Sequence, residues 1–338
     1  MMIELIKRLS EAYGPAGAED QIREILQQAL ATVDCEIHTD ALGNLIVQKP
    51  GTDPSAKPVV ITVNMDEAGL MVIDVDEQGF LRVGPVGSSN PHKWIGQRVM
   101  FSDGAIGVVA GDSLKDEKER TFAHLHIDIG ISGNRAANGE IPQPIPSPSI
   151  GDVAVLHLPW MSLQNQVWIG KALDNRAGCA AVLHVLQTLP TLAFPVCAVF
   201  SAQHRVGTRG IKPALYSLDP RVGMGVGCVS ANDAPGVKCA TVALGQGPAI
   251  VVMERNLIVN KELRMHMATL ADAQSIPYQW AIAHERVSDA GTMAATRTGV
   301  PAGGISIPVR HHETGSEMMH QADFAHAVQL LKAWLLSL

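Results

Sequence analysis

Aromatic residues are scarce in this chain: Phe, Trp and Tyr together are 4% of 338 residues. So few rings leave little with which to stack nucleic-acid bases or sugars. A net charge of −7 offers no basic footprint for a phosphate backbone, so nucleic acid is not an expected partner. Charged residues are only 17%, below the quarter usual in globular chains. No apolar run approaches the roughly 20 residues of a membrane span, and no membrane partner is expected. The opening Met-Met-Ile-Glu-Leu-Ile-Lys-Arg-Leu lacks the charged, apolar, then small pattern of an export signal. The five cysteines, Cys35, Cys179, Cys197, Cys228 and Cys239, are odd in number and show no C-x-x-C spacing. They read as free thiols of a cytoplasmic protein.

What is present is a large apolar fraction, 46% hydrophobic, enough for a sizeable core and for surface buried between subunits. The length suggests about two domains. Ile3, Ile6 and Leu9 recur at helical spacing, as do Ile22, Ile25, Leu26 and Leu30. Asn44–Gln48 and the continuous run Pro58–Val63 read as strands, the second as a buried central one. Between about 70 and 162 the texture changes to short β-like runs broken by Gly, Pro and Asp, with no long amphipathic helix. Pro142 to Pro148 reads as an extended linker or rim. Helix and strand alternate again from Gly170, with a helix over 175–189, strands near 196–200, 222–226 and 249–253, and helices over 260–274 and 323–338. The pattern predicts an α/β domain of residues 1–68 plus 163–338, split by one all-β insertion at 69–162.

Three strings stand where an α/β sheet places its site, at or just beyond strand ends. They are Asn64-Met65-Asp66-Glu67-Ala68-Gly69, Gly170-Lys171-Ala172-Leu173-Asp174-Asn175-Arg176, and Ser201-Ala202-Gln203-His204-Arg205-Val206-Gly207. With Ile127-Asp128-Ile129-Gly130, Ser288-Asp289-Ala290-Gly291 and the closing Pro308-Val309-Arg310, their ordered set resembles the tetrahedral aminopeptidase family over nearly the whole chain. These are two-zinc metallopeptidases, among them glutamyl and deblocking aminopeptidases, some labelled endoglucanases. The resemblance implies a three-layer α/β/α fold, a β-barrel-like insertion used for dimerisation, peptide substrates, and dimers assembling into a tetrahedral dodecamer.

The family centre needs a bridging carboxylate, further His or carboxylate ligands, and a carboxylate base on the bridging water. Carried over one position at a time, Asp174 matches the bridging ligand and Asp66 the group that orients the first ligand histidine. Asn64 stands in that histidine's place, and a neutral amide is a poor zinc ligand. His204 and Arg205 replace the glutamate base and a glutamate ligand. Gly227 falls on a ligand aspartate at the end of a strand. Glu313 falls on the last ligand histidine, with His311 and His312 close enough for that placement to slip. The resemblance puts Ser288, Asp289 and Gly291 at the substrate pocket.

Arg205 cannot ligate a metal and stays charged, so it is expected to pair with Asp174 or Glu313. The expectation is that the family dizinc site holds no cofactor and that the chain is a catalytically impaired homologue keeping fold and assembly. An active zinc aminopeptidase, and a structural or regulatory subunit of an aminopeptidase shell, are the alternatives. Blander readings stay open for single residues: Asp174 as a helix cap, His204 as either a core histidine or an acid/base group, and His311, His312 and Glu313 as a solvated turn or a new one-metal site with Asp174. His124 and His126 could share a strand face, and Lys115 to Arg120 reads as a solvated loop.

Overall fold

The computed structural model describes residues 2–53, 55–130, 148–236 and 241–338. Cys239 and the stretch 142–147 lie outside the described residues. The run that begins at Pro58 forms the strand Val59–Asn64, buried at every position. It lies between Val196–Ser201 and Val222–Ser230 and parallel to both, and Ala302–Val309 extends the parallel set beyond Val222–Ser230. Antiparallel strands flank this centre, Glu36–Thr39 and Leu45–Lys49 on one side and Ala249–Glu254 on the other. In all the sheet has nine strands among the described residues. Because four central strands run the same way, the loops after Asn64 and Ser201, and the turn after Val309, open at one edge of the sheet.

Alternation along these strands feeds two cores. Val59, Ile61 and Val63 pack into one with the helices Met2–Glu11, Asp20–Leu30, Leu173–Thr188, Lys261–Ala273 and Gln321–Leu336. Val60, Cys197 and Val199 pack into the other with the short helices Ile211–Leu218 and Asp289–Ala294. Helices on both faces make the three-layer α/β/α architecture that the sequence implies.

The inserted β region closes into a six-stranded barrel of Gly69–Val75, Leu81–Val86, Arg98–Met100, Ile106–Gly111, Leu125–Asp128 and Val153–Leu156. Its own core holds Leu70, Val72, Leu81, Val83, Trp94, Val99 and Phe101. The chain has left the barrel before residue 162: Met161–Ser162 pairs with Val167–Gly170, which pairs with Glu317–His320 beside the larger layer. Two histidines read as sharing a face diverge. His124 Nδ1 accepts from the Thr121 backbone, whereas His126 packs on Phe80 and faces Asp112. The charge run 115–120 is exposed except at its end, where Arg120 is buried against Glu117 and the Asp112 carbonyl.

Candidate active site

Asp174 is the centre of the cluster at the strand ends. Leu173–Thr188 begins irregularly, with Ala172 at its N-cap and Asp174 and Asn175 outside helical backbone angles. The Asp174 carboxylate turns to two cations. Arg205 Nη2 donates to Asp174 Oδ2 at 2.7 Å and to its carbonyl at 2.9 Å, and His312 Nε2 lies 2.8 Å from the same Oδ2. Burial pushes the Asp174 carboxyl up, but the charges of Arg205 and His312 outweigh it and hold the carboxyl well below the usual range. Burial likewise pulls His312 down, and Asp174 more than restores it, so His312 ends above an ordinary histidine. Glu313 stands further off, 3.7 Å from Arg205 Nη1, and 3.6 Å from Lys93, which reaches across from the barrel. Of the closing residues it is therefore His312, one before the position the resemblance assigns, that touches Asp174.

Around this pair the carboxylates are satisfied from the backbone. Asp66 accepts from the Arg205 N–H at 2.6 Å and from the Asn64 amide at 3.1 Å. The Asn64 oxygen in turn accepts from Asn175 at 2.9 Å. Glu317, absent from the sequence reading, accepts from the N–H groups of Asp174 and Glu313 at 3.0 and 2.7 Å, and burial raises its carboxyl to about 7.

His204 points elsewhere. Its Nδ1 bonds Asp289 Oδ1 at 2.7 Å, while Ser201 Oγ donates to Asp289 Oδ2 at 2.6 Å. Burial lowers the imidazole and Asp289 more than offsets this, leaving its pKa raised. The ring is partly buried and oriented by a carboxylate. Ser288 and Asp289 are buried, and Ser288 Oγ donates to Glu254. With His204, Arg286, Thr62 and Asn64 they line a cavity of about 10 Å³, which is room for about one water molecule. Gly291 is set back from it, packed on Asn256. Gly227 lies inside the strand Val222–Ser230, opposite Ser306, and not at its end.

Beneath the cluster, the two motif residues Glu67 and Lys171 meet. Lys171 Nζ reaches both Glu67 oxygens at 2.7 Å and the Ala12 carbonyl at 2.9 Å. Arg176 adds a contact to Glu67 at 3.2 Å and to the Gly14 carbonyl at 3.1 Å. All three side chains are buried.

A two-zinc centre requires several anionic or imidazole donors converging on two points. Here the groups bonded to Asp174 are a guanidinium, a histidine held on the carboxylate itself, and the Glu317 carboxylate, which accepts from its N–H, while Asn64 is a neutral amide already bonded to its neighbours. Among the described residues no three His, Cys, Asp or Glu side chains are placed to hold a metal ion. Arg286, Glu317 and Lys93 went unread in the sequence because they lie in no motif; only the folding of distant segments brings them here.

The family model for M42 glutamyl aminopeptidase matches residues 43–330. A putative aminopeptidase of Acetivibrio thermocellus is 36% identical over 98% of this chain and 97% of its own length. Among solved structures, an aminopeptidase from the archaeon Desulfurococcus kamchatkensis superposes with a TM-score of 0.91 at 29% identity, covering 100% of this chain and 95% of that one. A TET aminopeptidase from a marine sediment archaeon, Thaumarchaeota archaeon SCGC AB-539-E09, gives 0.89 at 27% identity, covering 98% and 95%.

Proposed function

Because the chain belongs to the M42 glutamyl aminopeptidase family, we propose that it is a homologue in which a charge-paired cluster has replaced the dinuclear metal centre, leaving peptide hydrolysis impaired or lost. The observation that carries this reading is the Arg205–Asp174 ion pair at 2.7 Å. A guanidinium on the one retained bridging carboxylate supplies the charge that a metal would bring, and it repels a second cation. Asn64 and Gly227 leave too few donors to compensate. What the chain's own residues do is hold Asp174 ionised, bond Asp66 to the Arg205 backbone, and keep His204 on Asp289.

We propose further that the chain self-associates in a reducing cytoplasm. Met71, Ile73, Ile106 and Val108 expose 38–55% of their surface on the outer wall of the barrel, which supports a partner face there. The relative titled a TET aminopeptidase supports the same reading. No helix among the described residues is long and apolar enough to cross a membrane.

The test is metal analysis of protein purified without chelator, together with a panel of aminoacyl chromogenic substrates. The reading expects well under one zinc per chain and turnover at background. Two zinc ions per chain with hydrolysis would replace it by the active metalloaminopeptidase, which the family match supports. Co-purification with an active relative would point to a subunit of a mixed shell. Light scattering at micromolar concentration tests self-association, and a monomer rejects it.

A further inference from the structure

We infer that Arg286 is a built-in member of the site: its guanidinium takes the space that a side chain at position 227 would fill, and brings a second fixed positive charge to the cavity beside Asn64 and His204. A Cβ built on Gly227 would stand 1.8 Å from Arg286 Nη2 and 3.0 Å from Cζ. No side chain fits there unless the guanidinium shifts. The backbone at Gly227 is ordinary strand, so the glycine answers a close approach and no special dihedral.

Arg286 is held in that place from the other side. Its Nη1 donates to Glu254 and, at 2.7 Å, to Ser306 Oγ. Glu254 is buried, and its second oxygen accepts from Ser288 Oγ. The guanidinium is thus anchored by a buried carboxylate and by the strand Ala302–Val309 that pairs with Gly227. Two guanidinium groups, Arg205 and Arg286, therefore flank the site, each with its own carboxylate, Asp174 and Glu254. Arg286 also lines the small cavity beside Asn64 and His204. The inference deepens the reading above and rests on it only for what position 227 holds in the family; the fit of Arg286 against Gly227 stands on geometry alone.

The experiment is a double-mutant cycle on the full chain with Gly227→Ala and Arg286→Lys, read by thermal unfolding. The lysine keeps the charge and the Glu254 partner but lacks the outer nitrogen. Gly227→Ala is expected to lower the midpoint by about 3–6 °C in the wild type and by less than about half of that beside Lys. Should Gly227→Ala alone fail to fold, recovery of folding in the double variant supports the inference. Equal losses in both backgrounds, no loss in the wild type, or failure to fold in both, overturns it. Zinc content of the same wild-type preparation reads the proposed function separately. Two zinc ions with the coupling intact sink that reading alone, and no zinc without coupling sinks this inference alone.

Discussion

Two carboxylate clusters lie within a few residues of each other at the same edge of the sheet, and they are built on opposite terms. Glu67, Lys171 and Arg176 are sealed, with side-chain exposures of 5%, 1% and 0%. Lys171 also donates to the Ala12 carbonyl and Arg176 Nη2 to that of Gly14, at the first helix's exit, while Arg176 Nε and Nη1 are buried with no partner among the described residues. Asp174, Arg205, His312, Glu313 and Lys93 are partly open, from 13% to 34%. Their partners come from turns and from the barrel. The sealed cluster fixes where the chain enters the barrel and where the long helix starts, so it sets the positions of Asp66 and Asp174. The open one decides what those positions hold. A fold of this kind can exchange the contents of its site while the support beneath stays the same, and it is in the open cluster that this chain departs from the family strings.

The comparison breaks first if the sealed cluster is not the costlier one to damage. Lys171→Met leaves Glu67 buried with Arg176 alone and should cost about 3–5 kcal/mol in urea unfolding, a large share of the stability of a typical domain. Arg205→Ala leaves Asp174 with His312 and some access to water. It should cost less, about 2–3 kcal/mol by the same measurement. A larger loss at Arg205 than at Lys171 would reverse the assignment of support and content.

Much of this support was legible in the sequence. The run Pro58–Val63 became the strand Val59–Asn64, and the broken β texture after residue 69 became the barrel. The pairing of Arg205 with Asp174 or Glu313 was expected because the resemblance sets Arg205 at a ligand position beside Asp174, where a fixed cation has few other partners, and the carboxylate it meets at 2.7 Å is that of Asp174. The central strand Ala302–Val309 was not legible. Its Gly303, Gly304 and Pro308 look like breakers, yet the space beside it is narrow: a Cβ at Gly304 would meet Val251 Cγ2 at 2.7 Å. Close packing of strand on strand selects small residues that periodicity discounts. The short helices Ile211–Leu218 and Asp289–Ala294 hold too few turns to show a period. At the site, the slip from Glu313 to His312 and the arrival of Arg286 and Glu317 depend on where loops point, which spacing does not encode.

The open cluster should also make stability depend on pH, and in a definite sense. Glu317 is raised by burial from 4.5 to about 7, and His312 and His204 are raised above 6.5 by Asp174 and Asp289 against the opposing effect of burial. Each binds its proton more tightly folded than unfolded. Each therefore contributes stability that is complete below its unfolded value and is lost as pH rises through its folded value. Asp174, held low, works the other way, and its contribution disappears in acid below 3.8. The free energy of unfolding should be highest near pH 4 to 5, roughly, and fall toward pH 8 by about 3 kcal/mol. Glu317→Gln should flatten the part of that fall between 4.5 and 7. A wild-type free energy that rises from pH 5 to 8 would place the titrating groups elsewhere.

The smallest effect sharpens the contrast, because each cluster contains a lysine. Lys93 lies on the barrel, 34% exposed, with Nζ 2.9 Å from the His312 carbonyl and 3.6 Å from Glu313. It looks like the counterpart of Lys171, a cation from one segment tying down a carboxylate of another. The surroundings decide otherwise. A pair at 3.6 Å in partial contact with water gains little from Coulomb attraction, and ordering the long side chain offsets much of that gain. Glu313 loses little when Lys93 goes, since Arg205 and water remain beside it. Lys93→Met should therefore cost at most about 1 kcal/mol, mostly for the carbonyl hydrogen bond. The loss should persist in 0.5 M salt, roughly, because a neutral acceptor is not screened. A loss that approaches that of Lys171→Met, or one that vanishes in salt, would mean that the barrel holds the site by charge and that the open cluster is a second structural support.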